Sequence, residues 1–277
     1  MKLKAKHPAY ETPYSHRGYA PQGVGRTTQL LFDADEIEKA QKASAEIKET
    51  FELGNGANSE LVPNNWVPEA DLPGFRAFHE RWWIECKNQA ESLLKCLGEA
   101  LNLEDKDLLC KFESQNDAHM SLMHYPEISV EPLHSGKQKR LNAHSDYGCL
   151  TMLFQGKVGG LEVHDGEAYK PLVPKHGTVI LNVGDMLERQ TNGRWKSSLH
   201  RVVAPREIMM QEGYDPKGTV VDRFSIVYFS QPNADVIIDT LPGCQEPGKW
   251  KPNMIGDWDE KITSYDWLHK RYTAEFH

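Results

Sequence analysis

From about residue 118 onward the chain changes texture, and that change limits its possible folds more than any other feature. Short apolar runs rich in β-branched and aromatic residues follow one another at 120–125, 149–155, 161–164, 178–183, 199–203, 224–230 and 236–238. Turn signals separate them: Gly159-Gly160, Asp165-Gly166, Gly184-Asp185 and Asn192-Gly193. Many short strands at regular spacing predict a sandwich, jelly roll or barrel rather than βαβ units. The expected class is mainly β with flanking helices.

The helices lie outside this stretch. Residues 1–30 are polar and rich in Gly, Pro and Tyr, which reads as extended loop. The spacing of Ile37, Ala40, Ala43, Ile47 and Phe51 predicts a helix over 33–51, with Asp33 or Asp35 as N-cap and Gly54 as stop. A stronger helix begins after Pro73. Phe75, Phe78, Trp82, Cys86, Ala90, Leu93, Leu94, Leu97 and Leu101 recur at helical spacing and form a seam suited to covering a sheet. Residues 108–112 predict a short helix, and 263–277 a terminal one packing back on the body. The layout is a loop and helical support region over 1–117, a β core over 118–240 and a C-terminal extension over 241–277. Neither junction carries a linker, so these are parts of one body.

Composition narrows the class of partner. A formal net charge of −8 argues against a nucleic-acid or anionic-membrane surface. The first residues have no apolar core of a signal peptide, and no apolar run approaches the roughly 20 residues needed to span a bilayer. The five cysteines are scattered, with no Cys-X-X-Cys, which predicts reduced thiols and a cytoplasmic protein. A small-molecule ligand fits this profile better than a macromolecule.

Three features carry chemistry. His144-Ser145-Asp146 places an imidazole and a carboxylate at i and i+2, on one face of an extended segment. Alone that pair is weak, because a chain with 12 histidines is expected to hold on the order of one by chance. His200 adds a second imidazole at the edge of another predicted strand. Two imidazoles and one carboxylate make the facial triad that holds ferrous iron with coordination positions open. Arg223 and Ser225 alternate with Phe224 and Ile226, so both polar side chains share one face of an apolar strand. An arginine turned into a β domain is costly unless it meets an anion; an internal carboxylate or a bound ligand would serve.

Further stretches agree in order and spacing with one family: Pro63-Asn64-Asn65-Trp66, Leu122-Met123-His124-Tyr125-Pro126, Gly159-Gly160-Leu161-Glu162-Val163, Asn182-Val183-Gly184-Asp185-Met186 and Thr191-Asn192-Gly193-Arg194-Trp195-Lys196-Ser197. With the triad, they make the chain resemble the iron(II)- and 2-oxoglutarate-dependent dioxygenases, in the branch that includes isopenicillin N synthase and the plant-type oxygenases. The resemblance implies a double-stranded β-helix, or jelly-roll, core. It implies that His144, Asp146 and His200 ligate Fe(2+), that Arg223 and Ser225 bind the distal carboxylate of 2-oxoglutarate, and that Tyr125 assists. The cosubstrates would be 2-oxoglutarate and O2, with succinate and CO2 as co-products. A small organic molecule would be hydroxylated, desaturated or otherwise oxidised. His119, Phe154, Trp195, Phe229 and Gln231 are expected by position in the substrate pocket.

The chain departs from that family at Met123, where many relatives have Asn, and at Tyr169, where Trp is common. Its region before Arg17-Gly18-Tyr19 is short relative to the family. Two rival readings stand beside the main one. An isopenicillin N synthase-like iron oxidase would use Arg-X-Ser for a substrate carboxylate and need no 2-oxo acid. A non-catalytic small-molecule-binding short form would have no need of the whole triad.

Overall fold

The computed structural model describes residues 17–23, 45–55, 63–115, 117–135, 137–205, 218–245 and 261–276. Within them the larger sheet has six antiparallel strands in the order β1 (Gly18–Ala20), β3 (Glu49–Gly54), β4 (His119–Tyr125), β14 (Arg223–Ser230), β8 (Leu150–Gln155) and β11 (Ile180–Val183). The smaller has four antiparallel strands in the order β10 (Tyr169–Pro171), β9 (Leu161–His164), β12 (His200–Val202) and β7 (Leu141–His144). Two short ladders pair β2 (Ala45–Glu46) with β6 (Gln138–Lys139) and β5 (Ile128–Ser129) with β13 (Thr219–Val220). Read along the chain, β7, β8, β9, β11, β12 and β14 fall alternately in the small and the large sheet. That back-and-forth winding is the double-stranded β-helix, and it accounts for the jelly-roll core.

Period-2 alternation decides which side of the large sheet each residue serves. Leu53, Met120, Met152 and Tyr228 face outward and pack with Trp83, Cys86 and Ala90 of α1 (Phe75–Ala100). The inward residues Tyr125, Met123 and Leu153 meet Leu141, Leu161, Val202 and Leu172 from the small sheet and its edge. The remaining helices are α2 (Leu108–Phe112), α3 (Val130–His134), α4 (Asp185–Gln190) and α5 (Ser264–Phe276). Trp267 of α5 is buried with Cys149, Met186 and Leu187, so the terminal helix does pack back on the body.

Some expectations need correction. Of the helix expected over 33–51, residues 33–44 lie outside the described ones, and the rest is strand β2, a two-residue link and the first half of β3. Phe51 and Leu53 alternate with Thr50 and Glu52, and pairing with β4 rewards that period of two over the helical one. The loop expected over 1–30 contributes β1, and the rest of it is outside the described residues apart from 17 and 21–23. Two strands of the support region therefore extend the core sheet. At 236–238 there is no ladder, only a single bridge from Ile237 to Thr263.

The α1 seam is rotated from the one read in the sequence. His79, Trp83, Cys86, Ala90, Leu94 and Gly98 are buried, while Phe78 is 49% exposed. Gly98 lies on the buried face because a Cβ there would sit 2.3 Å from the Lys106 carbonyl oxygen. All five cysteines are free thiols. No helix among the described residues is long and apolar enough to cross a membrane.

Candidate metal and cosubstrate site

The pocket opens between the inner faces of the two sheets. Its lining includes His144, Asp146 and His200 from the small-sheet side, and Tyr125, Arg223, Ser225 and Phe229 from the large sheet. Pairing of β12 with β7 sets His200 directly opposite His144. Their rings lie 4.2 Å apart between centroids. Asp146 follows just past the end of β7. Its Oδ1 is 3.8 Å from His144 Nε2 and 3.7 Å from His200 Nε2. The three ligand atoms lie within 4.8 Å of one another, the one such cluster of metal-ligating side chains among the described residues.

The atoms turned away from this centre are all tied. His144 donates from Nδ1 to the Asn142 carbonyl at 2.8 Å, and His200 donates from Nδ1 to the Ser198 carbonyl at 2.8 Å. These bonds fix the tautomer in which both Nε2 atoms offer a lone pair to the centre. Thr151 Oγ1 and Asn182 Nδ2 each donate to Asp146 Oδ2 at 2.6 Å, which leaves Oδ1 for the centre. Burial, with repulsion from His200 added, holds the His144 imidazole well below its ordinary pKa. Burial alone would raise Asp146, but the two imidazoles and the Thr151 and Asn182 donors outweigh it and keep the carboxyl below its usual range. Two neutral imidazoles and one ionised carboxylate are the donor set that suits a ferrous ion.

A second set of contacts holds the loop that carries Asp146. The Asp185 amide donates to the Asp146 carbonyl at 2.8 Å. Ser145 Oγ donates to Asp185 Oδ2 at 3.1 Å, and Arg271 of α5 reaches the same oxygen at 3.3 Å. Trp267 Nε1 donates to the Tyr147 carbonyl at 3.2 Å, and the Arg271 guanidinium stacks 4.2 Å over the Tyr147 ring. A Cβ on Gly184 would stand 2.3 Å from the Gly148 carbonyl oxygen and 3.0 Å from that of Asp146, so α4 can start this close to the loop only from a glycine.

Across the pocket Arg223 is 1% exposed. It donates to Ser225 Oγ at 3.2 Å and to Gln155 Oε1 at 3.3 Å, and its guanidinium lies 5.0 Å from the Tyr125 ring. No carboxylate pairs with it in the described structure; the alternative of an internal salt bridge is not what is found. The Tyr125 hydroxyl donates to Met123 Sδ at 3.3 Å, so the methionine that stands where relatives often have Asn is a neighbour of this end.

The residues expected in the substrate pocket separate. Phe229 lines it. Phe154 is on the outer face of β8 and packs edge-on against Trp82 of α1, because its neighbours Leu153 and Gln155 take the inward direction. Trp195 lies with the helical clusters around Leu109 and Met186, and Gln231 is occupied by donating to the Asp117 carbonyl at 2.7 Å. His119 faces inward but is engaged by Glu52 Oε2 at 2.6 Å and by Arg17 at 3.0 Å. Thr151, Asn182, Gln155 and Arg271 were not read from the sequence. Only Asn182 lay in one of the stretches that carry the family resemblance, and nothing local distinguished its side chain.

Known proteins complete the reading. The family model of the 2OG-Fe(II) oxygenase superfamily matches residues 117–232. The chain is 39% identical over 267 residues to the 2-oxoglutarate-dependent dioxygenase lolO1 of Epichloe uncinata, covering 94% of this chain and 73% of that one. It belongs to the 2OG-Fe(II) oxygenase superfamily. Another of the oxygenase's relatives is the proline hydroxylase buaE of Petromyces alliaceus, 38% identical over 262 residues, with 91% and 75% covered. Full-length Neurospora crassa T7H in complex with alpha-KG superimposes with a TM-score of 0.78 at 29% identity, over 98% of this chain and 80% of that one. The chain is thus an oxidoreductase that uses Fe(2+), 2-oxoglutarate and O2.

Proposed function

We propose that His144, Asp146 and His200 hold the ferrous ion and that Arg223, Ser225 and Tyr125 receive the distal carboxylate of 2-oxoglutarate. The substrate is a small organic molecule entering from the Phe229 side. The observation that carries this reading is the fixed orientation of all three ligand side chains around one point, facing an arginine that pairs with no carboxylate among the described residues. When bound, iron and 2-oxoglutarate supply the oxidation, in which O2 is consumed, 2-oxoglutarate becomes succinate and CO2, and the substrate is oxidised.

The chain's own part is orientation and shielding. The Asn142 and Ser198 carbonyls keep each Nδ1 protonated, so that in the neutral imidazole the lone pair is on Nε2 and faces the centre. Thr151 and Asn182 hold Asp146 as a one-oxygen ligand. Arg223 and Ser225 fix the far end of an extended dianion, so that its 2-oxo acid end is directed across the pocket at the triad. Leu141, Leu161, Val163, Leu172, Val202 and Val227 keep water from the space between.

An anaerobic absorption titration with ferrous iron and then 2-oxoglutarate tests the assignment. A metal-to-ligand charge-transfer band should form in the parent and be lost in His200→Ala and in Arg223→Ala. A band of undiminished strength in both variants would remove these residues from the site. Iron binding without any band in the parent would favour the oxidase that uses no 2-oxo acid.

A further inference from the structure

We propose that Arg140 is a positioning residue for the cosubstrate, the second cation of the Arg223 end, and that it sets the preference for a dianionic 2-oxo acid over a monoanionic one. The inference rests on the assignment of Arg223 to the distal carboxylate. Arg140 directly precedes β7, is 0% exposed and is not among the residues that line the pocket. Its Nη2 donates to the Val221 carbonyl at 2.5 Å and approaches those of Val220 and Pro126 at 3.4 and 3.5 Å. Pro126 immediately follows Tyr125 at the end of β4, and Val220–Val221 lead into Arg223 at the start of β14. One guanidinium therefore ties together the chain segments that present both groups.

Its charge is the second half of the argument. Arg140 Nε and Nη1 are buried with no hydrogen-bond partner, as is Arg223 Nε. Among the described residues no carboxylate lies within ion-pair distance of either arginine, although Asp222 attracts Arg140 from farther off. Asp222, the nearby acid, is engaged by His124 and by the Glu127 amide. Burial first, and then repulsion from Arg223, pushes Arg140 down to about 10. Two buried guanidiniums at one end of a pocket are an unfavourable arrangement unless an anion joins them. A bound dicarboxylate provides that anion at Arg223, and Arg140 adds attraction without touching it.

The test uses the full chain loaded anaerobically with ferrous iron, and reads binding rather than turnover. Two probes are titrated, 2-oxoglutarate and 2-oxopentanoate, which has the same chain length but no distal carboxylate. Arg140→Met removes the charge while keeping an unbranched, apolar side chain of similar reach. It should weaken 2-oxoglutarate binding roughly 10- to 50-fold, as expected of a unit charge that attracts an anion through protein without touching it. It should leave the iron affinity and 2-oxopentanoate binding within about threefold of the parent, within the scatter of uncharged effects. Unchanged 2-oxoglutarate affinity, or an equal loss for both acids, overturns the proposal; the second result would leave Arg140 a purely structural clasp.

Should Arg140→Met fail to fold, Arg140→Lys decides. Lysine keeps the charge and loses the fork, and it must keep the parent's ratio between the two acids; a ratio collapsed about tenfold overturns the role given to charge. Arg223→Ala is run beside them. If that variant also binds 2-oxoglutarate like the parent, the assignment of the distal carboxylate has failed, and not the inference drawn from it.

Discussion

The two ends of the pocket are finished to different degrees. At the triad end the outward atom of each side chain is tied: Nδ1 of His144 and of His200 to carbonyls, Oδ2 of Asp146 to two donors. At the Arg223 end three buried guanidinium nitrogens, Arg140 Nε and Nη1 and Arg223 Nε, have no partner. The difference follows from what each end receives. A metal ion binds to lone pairs, so its ligands can be oriented in advance by donors on their far sides at little cost. An anion binds to donors, and donors kept ready in a dry site stay unsatisfied until it arrives. On the proposed assignment the triad end is complete as protein, and the basic end is completed by the cosubstrate.

Removing one member from each end gives the two largest expected effects. His200→Ala deletes a ligand that no neighbour replaces, so succinate release should fall below detection and ferrous affinity should collapse in an equilibrium titration. Unaltered turnover would take iron at this position out of the reaction. Arg223→Ala deletes a charge-assisted contact of about 1.5–3 kcal/mol, which corresponds to a rise of roughly 10- to 150-fold in the KM for 2-oxoglutarate. Ferrous affinity should hold, since no triad atom touches Arg223. A matching loss of iron binding would mean that the two ends are not separate after all.

A finer change tests whether the triad end is truly preset. Thr151→Val and Asn182→Leu each remove one of the two donors on Asp146 Oδ2 and leave the ligand itself. Losses of outer hydrogen bonds at metal sites run to about 10- to 100-fold in metal affinity. The variants should sit at the lower part of that range singly, because the other donor remains, and fall further when combined. Restored activity at high ferrous concentration would show that only orientation was lost. No change in the double variant would mean that Asp146 is held by its backbone contacts to Asp185 instead.

How much of this was legible differs between the same two ends. His144 and Asp146 at i and i+2, and Arg223 and Ser225 at i and i+2, are strand geometry written into neighbouring residues, and they could be read directly. The 161–164 element was as clear, because Gly159-Gly160 and Asp165-Gly166 bracket it. His200 could be named as a candidate, but its place directly opposite His144 could not be read, since register between β7 and β12 depends on the whole jelly-roll winding. Asn182 and Arg140 were invisible for the same reason, since each acts on residues distant in the chain; Thr151 is only five residues from Asp146, but nothing local marked its hydroxyl. The error at 45–51 has another cause. Ile47 and Phe51 satisfy a helical period, while Phe51 and Leu53 satisfy a strand period, and only the presence of β4 as a partner decides between them. Phe154 shows the limit of reading by position, because a one-residue step along a strand moves a side chain from the pocket to the face under α1.

The smallest expected effect on turnover concerns a carboxyl that belongs to neither end. Glu113, just after α2, is half-buried, its carboxylate bonded by Ser230 Oγ at the far end of β14 from Arg223. Burial pushes it up to about 7, against an ordinary value of 4.5, with the Ser230 bond opposing. Between these two values the folded chain keeps a proton that the unfolded chain has released, so stability falls as pH rises through the window from 4.5 to 7 and is level above it. The full window corresponds to a loss on the order of 3 kcal/mol from this group. Glu113→Gln keeps a donor and acceptor for Ser230 without the charge. It should flatten urea-unfolding stability across pH 5 to 7 and leave the variant more stable than the parent at pH 8, with KM for 2-oxoglutarate and ferrous affinity unchanged. A variant that keeps the parent's slope would move the pH dependence to other groups. A shift in either binding constant would tie β14's two ends together mechanically, and then the basic end would be sensitive to the state of a proton buried at the opposite end of the same strand.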